Sequence, residues 1–204
     1  MKIICIGRNY IDHIKELNSD IPKSPVIFIK PETAIIRNNL PFFIPDFSND
    51  IHYETELVIK ISRLGKYINE KYANEYYQEI GIGIDFTARD IQRDCIKNGL
   101  PWEISKSFDS SAPISNIFIN KNEFANLNDI NFHLLKNGEL VQKGNTKDMI
   151  FKFDYLISYI SQYFTLKIGD LIFTGTPVGV GKVNQNDILE AFIGDRELLQ
   201  VKVK

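Results

Sequence analysis

Residues 52–61 read HYETELVIKI, a segment in which polar and apolar side chains alternate before an apolar run takes over. Successive side chains of a β-strand point to opposite faces, so Glu54 and Glu56 are predicted to share one face. Two carboxylates that lead directly into an apolar run are costly to remove from water unless a cation neutralises them. The segment therefore predicts a core strand with a candidate cation site at its start.

Other apolar runs of strand length, bounded by Gly, Pro or Asn, are spread over the whole chain. They predict strands at residues 26–29, 56–61, 80–84, 118–119, 131–135, 171–173, 188–193 and 198–203. The glycines of GIGI, residues 81–84, indicate that another part of the chain approaches this backbone closely. Asn137-Gly138 predicts a tight hairpin, because both residues tolerate the positive φ of a type I′ turn.

Helical periodicity is limited to three short segments, residues 10–17, 88–97 and 154–164. The second follows Thr87, which with Asp90 forms a capping-box-like start, and it ends at Asn98-Gly99. Strand-rich segments with few helices predict a mainly β (α+β) fold rather than alternating βαβ units. The sequence has no internal repeat or linker, so one domain spanning residues 1–204 is expected.

The composition excludes several classes of protein. A formal net charge of -2 and a pI of about 6.0 argue against non-specific attraction to nucleic acid or an anionic membrane. The apolar start, residues 1–7, is too short for a signal peptide, and no apolar run is long enough to cross a bilayer. Cys5 and Cys95 lie far apart without ligand-spaced neighbours, which favours two buried thiols in a reducing, cytoplasmic compartment.

Asp85 is a third candidate metal ligand, because it follows a predicted strand and precedes a predicted helix, where sites commonly gather. With Glu54 and Glu56 it would form an all-oxygen set, which suits Mg²⁺, Mn²⁺ or Ca²⁺ better than Zn²⁺. The alternatives are a solvated strand face for the two glutamates and a favourable helix-dipole charge for Asp85.

His13 and Glu16 share a face of the first predicted helix, and a carboxylate beside an imidazole can prepare it as a general base. An ordinary surface pair is the alternative. Lys106 lies among aromatic residues and could stabilise an enolate or a carboxylate, or could be a surface lysine. Residues 174–182, TGTPVGVGK, lack the spacing of a phosphate-binding loop and favour a tight turn beside a small ligand, with backbone N–H groups and Thr hydroxyls facing the carboxylate of that ligand.

Seven segments, in order, resemble the fumarylacetoacetate hydrolase family, specifically its short acylpyruvate hydrolase and oxaloacetate decarboxylase branch. They are GRNYIDHIKE (7–16), KPETA (30–34), HYETEL (52–57), GIDFTARDIQ (83–92), KNGLPWEISKSFD (97–109), NGELVQKGNTKDMIF (137–151) and LKIGDLIFTGTPVGVG (166–181). The resemblance covers nearly the whole chain. It implies a mixed β-sandwich roll with a few short helices, usually dimeric, without the additional N-terminal domain of larger members.

The resemblance also assigns site residues. It implies metal ligands at Glu54, Glu56 and Asp85, an acid/base dyad of His13 and Glu16 on a lid segment within residues 1–20, contacts to substrate or water from Gln92 and Lys106, and a pocket wall containing Arg8, Tyr10 and Thr176.

The function that this resemblance implies is an Mg²⁺-dependent hydrolase or lyase, with Mn²⁺ or Ca²⁺ as alternative ions. Such an enzyme cleaves the C–C bond of acylpyruvates, or decarboxylates oxaloacetate, through a pyruvate enolate. The expected partners are a small 2-oxo acid and a second copy of the chain in a homodimer. The alternatives are an isomerase or hydratase of unsaturated 2-oxo acids, of the 2-hydroxyhepta-2,4-dienedioate type, and a non-catalytic metal-binding β domain.

Overall fold

The computed structural model describes residues 1–17 and 20–204, so residues 18 and 19 of the predicted lid segment lie outside the described residues. The strands are β1 (Ile3–Gly7), β2 (Val26–Lys30), β3 (Ile35–Ile36), β4 (Ile51–Tyr53), β5 (Thr55–Ile61), β6 (Tyr77–Ile84), β7 (Thr87–Ala88), β8 (Ala112–Pro113), β9 (Ile119–Asn120), β10 (Asn131–Lys136), β11 (Glu139–Asn145), β12 (Leu171–Phe173), β13 (Gly181–Lys182), β14 (Ile188–Ile193) and β15 (Arg196–Lys202). The α-helices are α1 (Ile11–Glu16), α2 (Arg89–Asn98), α3 (Glu103–Lys106) and α4 (Phe153–Tyr163). Short 3-10 helices span Glu32–Ala34, Glu70–Tyr76, Lys121–Glu123 and Thr146–Asp148.

Two sheets pack face to face. The larger has the order β2-β1-β12-β5-β6-β9 and the smaller has the order β11-β10-β14-β15. Strands β1 and β12 are parallel, and all other neighbours in these two sheets are antiparallel. Leu57 and Ile82 from the larger sheet share one apolar core with Leu134, Leu189 and Leu199 from the smaller. The predicted mainly β, α+β sandwich is therefore confirmed.

The outer face of the larger sheet is covered as well. Cys5, Val58 and Phe173 on that face form a second apolar cluster, against which Trp102 packs. Strand β5 is thus buried on both faces, which accounts for its nearly continuous apolar sequence. Glu56 lies two residues before Val58 and points into the same outer layer. This layer holds the functional side chains described below.

Smaller elements complete the outer layer. Two short sheets, β13-β4-β7 and β3-β8, accompany the larger sheet, and β4 leads into β5 through the single residue Glu54. Helix α2 follows β7 directly and ends at Gly99, whose φ of 64° gives the left-handed C-cap that the sequence predicts. Across the described residues, no helix combines the length and the apolar character needed to cross a bilayer.

Most local predictions are confirmed. Each predicted strand overlaps an observed one, and the three predicted helices become α1, α2 and α4. The predicted hairpin joins β10 to β11, where Asn137 and Gly138 have φ values of 55° and 81° and Lys136 pairs with Glu139. Cys5 and Cys95 are buried free thiols.

The predicted capping box of α2 is wrong. Ala88 occupies the N-cap position, and no side chain caps the helix. Thr87 belongs to β7, and its hydroxyl accepts a hydrogen bond from Lys106 instead. The Asp90 carboxylate is held outside the helix, because it accepts hydrogen bonds from the Ser48 hydroxyl at 2.6 Å and the Asn49 amide at 3.0 Å.

The close approach predicted for GIGI is confirmed at Gly83. A Cβ atom there would lie 2.7 Å from the ring of Phe173 and 3.0 Å from the carbonyl oxygen of Pro113. Gly83 pairs with Glu56 in the register of β5 and β6. A glycine here lets the outer layer pack directly onto the strand that leads to Asp85.

Replacing Gly83 by Ala is therefore expected to lower the free energy of unfolding by about 1–3 kcal/mol, because the added methyl group overpacks a filled space. Urea denaturation followed by circular dichroism measures the change. Gly138→Asn is the control, because Gly138 has φ 81° with no atom within 4 Å of an added Cβ, and Asn tolerates this conformation. Equal denaturation midpoints for Gly83→Ala and the unmodified protein would contradict the packing argument.

Candidate active site

A cavity of about 310 Å³ opens on the outer side of the larger sheet, bounded by α1, α2, α3 and the loop between β12 and β13. Its wall is rich in charged and polar side chains. They are Arg8, His13, Glu16, His52, Glu54, Glu56, Asp85, Arg89, Gln92, Arg93, Lys106 and Thr176. Every residue predicted for the site lines this cavity except Tyr10.

Three buried carboxylates meet at the sheet side of the cavity. Glu54 connects β4 to β5, Glu56 is the second residue of β5, and Asp85 follows β6 immediately. The pairing of β5 with β6 brings them together, and the Asp85 amide donates to the Glu54 carbonyl at 2.8 Å. One oxygen of each carboxylate lies within 4.8 Å of the other two. The solvated strand face considered for Glu54 and Glu56 is thus contradicted by their burial.

Lys106, at the end of α3, is buried with 3% of its surface exposed, so it is not a surface lysine. Its ammonium donates to Glu54 at 2.8 Å, to Asp85 at 2.7 Å and to the Thr87 hydroxyl at 2.6 Å. Burial lowers the pKa of Lys106, but the charges of Asp85 and Glu54 outweigh it and raise this pKa above its ordinary value. Lys106 is therefore a cation that neutralises two of the carboxylates.

Two further cations reach the same carboxylates. The Arg89 guanidinium pairs with Glu54 and donates to the Gln92 side-chain oxygen at 2.5 Å. The ammonium of Lys30 lies 2.8 Å from the second oxygen of Asp85. Burial raises the pKa of Glu54, but Lys106 and Arg89 outweigh it and hold this pKa well below its ordinary value. Sequence reasoning missed both cations, although Lys30 directly ends a strand of otherwise apolar residues.

Glu56 is the carboxylate that lacks a cationic partner. In the part of the chain that the structure describes, its only hydrogen bond comes from the Gly175 amide at 2.7 Å. Burial, followed by the charges of Asp85 and Glu54, raises its pKa well above the ordinary value. A carboxylate in this position favours a neighbouring cation.

The geometry of the three carboxylates fits a hard divalent cation. Ligand oxygens at about 2.0–2.6 Å from one Mg²⁺ or Ca²⁺ ion lie at most about twice that distance from each other. The limit of 4.8 Å between carboxylate oxygens falls inside the span of about 4.6–5.2 Å for Ca²⁺ and lies slightly above the span of about 4.0–4.2 Å for Mg²⁺, which requires the carboxylates to move slightly closer together. All three donors are oxygen atoms, which excludes the thiolate and imidazole set typical of structural zinc. Glu54, Glu56 and Asp85 could therefore hold Mg²⁺, Mn²⁺ or Ca²⁺.

His13 and Glu16 form the second functional group of the cavity. Nδ1 of the buried His13 ring lies 2.9 Å from Glu16, so Nε2 is the nitrogen left for proton transfer. The other Glu16 oxygen accepts a hydrogen bond from the Gly179 amide at 3.0 Å. Burial raises the pKa of Glu16, but the bonds from His13 and Gly179 outweigh it and lower this pKa. An anionic Glu16 orients the imidazole through Nδ1.

The glycine-rich loop, residues 174–182, donates hydrogen bonds to carboxylates of the protein itself. The sequence predicts that its amides face a bound ligand, but those of Gly175 and Gly179 donate to Glu56 and Glu16. The Thr176 hydroxyl donates to the Thr55 carbonyl at 2.9 Å and accepts from Gln142 at 2.9 Å. Gln142, which sequence reasoning missed, therefore fixes the orientation of this hydroxyl at the cavity wall.

Arg8 and Tyr10 point in different directions. Arg8 has a φ of 58° and lines the cavity, with its guanidinium 5.7 Å from the centre of the Trp102 ring. Tyr10 is buried in the main core, where its ring packs edge-on against Phe132 at a centroid distance of 6.3 Å. The structure thus places Tyr10 outside the cavity wall to which the sequence assigns it, because its extended backbone turns the ring into the sandwich.

Comparison with known proteins identifies the family of this chain. The family model described as fumarylacetoacetate (FAA) hydrolase C-terminal matches residues 2–204. The mitochondrial oxaloacetate tautomerase FAHD1 of Mus musculus is 43% identical over 202 residues, which cover 99% of this chain and 91% of that protein. The mitochondrial oxaloacetate decarboxylase of Dictyostelium discoideum is 42% identical over 193 residues, which cover 94% and 88%.

A solved structure is similar throughout. The fumarylpyruvate hydrolase of Pseudomonas aeruginosa, in complex with Mn²⁺ and pyruvate, superposes with a TM-score of 0.92 at 34% identity, covering 100% of this chain and 89% of that one. These matches confirm the resemblance that the seven sequence segments indicate. This chain is an enzyme of the fumarylacetoacetate hydrolase family.

Proposed function

We propose that this enzyme converts small 2-oxo acids through their enolates with the help of Mg²⁺ or Mn²⁺, and that oxaloacetate is a substrate. The observation that carries the proposal is the buried set of Glu54, Glu56 and Asp85 in one cavity with the His13–Glu16 pair. The relatives named for oxaloacetate, and the similar structure that holds Mn²⁺ and pyruvate, support the same substrate class.

The chemistry divides between the ion and the protein. A divalent ion held by the three carboxylates would act as a Lewis acid toward the 2-oxo carbonyl. His13, oriented by Glu16, moves a proton at Nε2, either to or from the substrate carbon or from an attacking water. Lys106 pairs with two of the carboxylates and adds positive charge beside the developing enolate.

Cleavage of acylpyruvates is the second candidate reaction, and the buried His13–Glu16 pair favours it. A water deprotonated by His13 would attack the distal carbonyl, the C–C bond would break, and the pyruvate enolate would leave. Loss of carbon dioxide from oxaloacetate gives the same enolate without an attacking water. The two reactions therefore depend on His13 to different degrees.

Arg8 supports a substrate with a second carboxylate. Arg89 is paired with Glu54 and Arg93 with Asp50, whereas Arg8 has no acidic partner among residues 1–17 and 20–204. An unpaired guanidinium on a cavity wall is suited to a carboxylate of the ligand. We propose that Gln92 and Thr176 contribute polar contacts on the same wall.

We further propose that residues 1–204 form one catalytic domain and that two copies form a homodimer, as the family resemblance implies. The relatives named above are mitochondrial by name, so the cytoplasmic compartment stays a prediction from the composition. An isomerase of unsaturated 2-oxo acids stays the alternative activity.

Replacing Glu56 by Gln is expected to weaken Mn²⁺ binding by about 100-fold or more and to abolish turnover of every substrate, because a ligand charge is lost. Isothermal titration calorimetry measures the affinity, and absorbance assays with oxaloacetate and acetylpyruvate measure turnover. EDTA should remove activity and added Mg²⁺ or Mn²⁺ should restore it. Glu79→Gln is the control, because Glu79 is half-exposed and pairs with Lys60. Unchanged Mn²⁺ affinity in Glu56→Gln would contradict the metal site.

Replacing His13 by Ala is expected to slow acylpyruvate hydrolysis by about 10²–10⁴-fold, because the general base is removed. Decarboxylation of oxaloacetate should fall much less, since no water has to be activated. Parallel kinetic assays on both substrates measure the two effects. His133→Ala is the matched control, since His133 stacks on Phe192 outside the cavity. Survival of both reactions at the original rates would rule out the His13–Glu16 assignment.

Replacing Arg8 by Gln is expected to raise the KM for oxaloacetate by about tenfold or more, because a charge-assisted hydrogen bond contributes about 1.5–3 kcal/mol. The KM for acetylpyruvate, whose distal end is uncharged, should change less. Arg63→Gln is the control, because Arg63 pairs with Glu75 at 2.7 Å outside the cavity. An equal rise in KM for both substrates would place Arg8 at the shared 2-oxo acid end and contradict this assignment.

A further inference from the structure

Lys30, the last residue of β2, is completely buried and lies behind the cavity wall instead of lining it. Burying an ammonium group is costly unless several partners satisfy it. The partners of Lys30 are the Asp85 carboxylate at 2.8 Å, the Ser111 hydroxyl at 2.8 Å and the Lys106 carbonyl oxygen. These contacts stabilise the buried ammonium group.

The contacts of Lys30 converge on two residues of the site. One oxygen of Asp85 forms an ion pair with Lys30 but accepts no hydrogen bond, and the other accepts from Lys106, so Lys30 acts on this carboxylate through its charge. Lys30 also binds the backbone of Lys106 directly. Ser111 closes the arrangement, because its hydroxyl accepts from Lys30 and donates to the same Lys106 carbonyl at 3.0 Å.

Segments distant in sequence are joined in this way. Lys30 leaves β2, Asp85 follows β6, and Lys106 ends α3, so none of these side chains is positioned by its local element alone. Helix α3 has four residues and no side-chain cap, and it is too short to be stable by itself. The bonds from Lys30 and Ser111 to its last carbonyl fix where the Lys106 side chain begins.

We infer that Lys30 is a positioning residue for the metal site. It holds the Asp85 carboxylate and the backbone of Lys106 in the arrangement that binds a divalent ion. The inference rests on the proposed function. Groups that orient the residues around an ion without touching the ion typically change metal affinity by about 10–100-fold when they are removed. Methionine keeps an unbranched, flexible side chain and removes the charge, so Lys30→Met isolates the ammonium group.

The test is Mn²⁺ affinity of the intact protein by isothermal titration calorimetry, with folding checked by circular dichroism. Lys30→Met should bind Mn²⁺ about 10–100-fold more weakly than the unmodified protein. Lys2→Met is the matched control, because Lys2 pairs with the buried Asp170 at 2.5 Å outside the cavity. Lys2→Met should lower the melting temperature and leave Mn²⁺ affinity unchanged.

Ser111→Ala provides an independent variant and decides the matter if Lys30→Met does not fold. It removes one partner of Lys30 and one of the Lys106 carbonyl, and should weaken Mn²⁺ binding by about threefold or more. Unchanged affinity in the folded variants overturns the role of Lys30 while leaving the metal site intact. Failure of the unmodified protein to bind Mn²⁺ overturns the proposed function, and this inference with it.

Discussion

Three buried carboxylates within 4.8 Å of one another are the constraint around which the outer layer of this protein is organised. Like charges at this separation are unstable away from water unless cations accompany them. Two helices of the outer layer and one strand of the larger sheet bring those cations: α3 carries Lys106, α2 begins with Arg89, and β2 ends with Lys30. Buried ion pairs are weak evidence for stability, so their concentration in one cavity argues for chemistry there.

The sandwich supplies the rigid side of this arrangement. Strand β5 contributes Leu57 to the core between the sheets and Glu56 to the opposite layer. Because successive side chains of a strand point to opposite faces, one face of β5 packs the core and the other carries a residue of the site. The segment before α1 is tied down by Asn9, whose side chain donates to the Thr174 and Phe151 carbonyls at 2.8 and 3.0 Å. The dyad is therefore anchored to the strand end that also adjoins the carboxylates.

The structural features that depend on residues close in sequence could be predicted from the sequence. The period of the strands, the Asn137-Gly138 turn and the shared face of Glu54 and Glu56 all follow from residues close in sequence. The burial of Lys30 and the failed cap at Thr87 do not, because both depend on Lys106, which lies 76 and 19 residues away. The contact between Thr87 and Lys106 overrides the preference of threonine for the helix N-cap. Helix α3 could not be predicted because its four residues are too few to show helical periodicity. The burial of the Tyr10 ring likewise depends on a residue distant in sequence, because the ring packs against Phe132 in the smaller sheet.

The loop between β12 and β13 has a consequence for how this enzyme can diversify. Besides the Thr176 hydroxyl, this loop contributes two main-chain amides to the site, at Gly175 and Gly179. Glycine is needed at both positions, since φ is 99° and 101° and an added Cβ would collide with Asn9 or the Val141 carbonyl. Val180, the residue directly after Gly179, lines the cavity and is free of that restriction. Substitutions there can therefore change the shape of the cavity while the two amide donors stay in place. Substrate preference can then change during evolution without loss of the hydrogen bonds that hold Glu56 and Glu16.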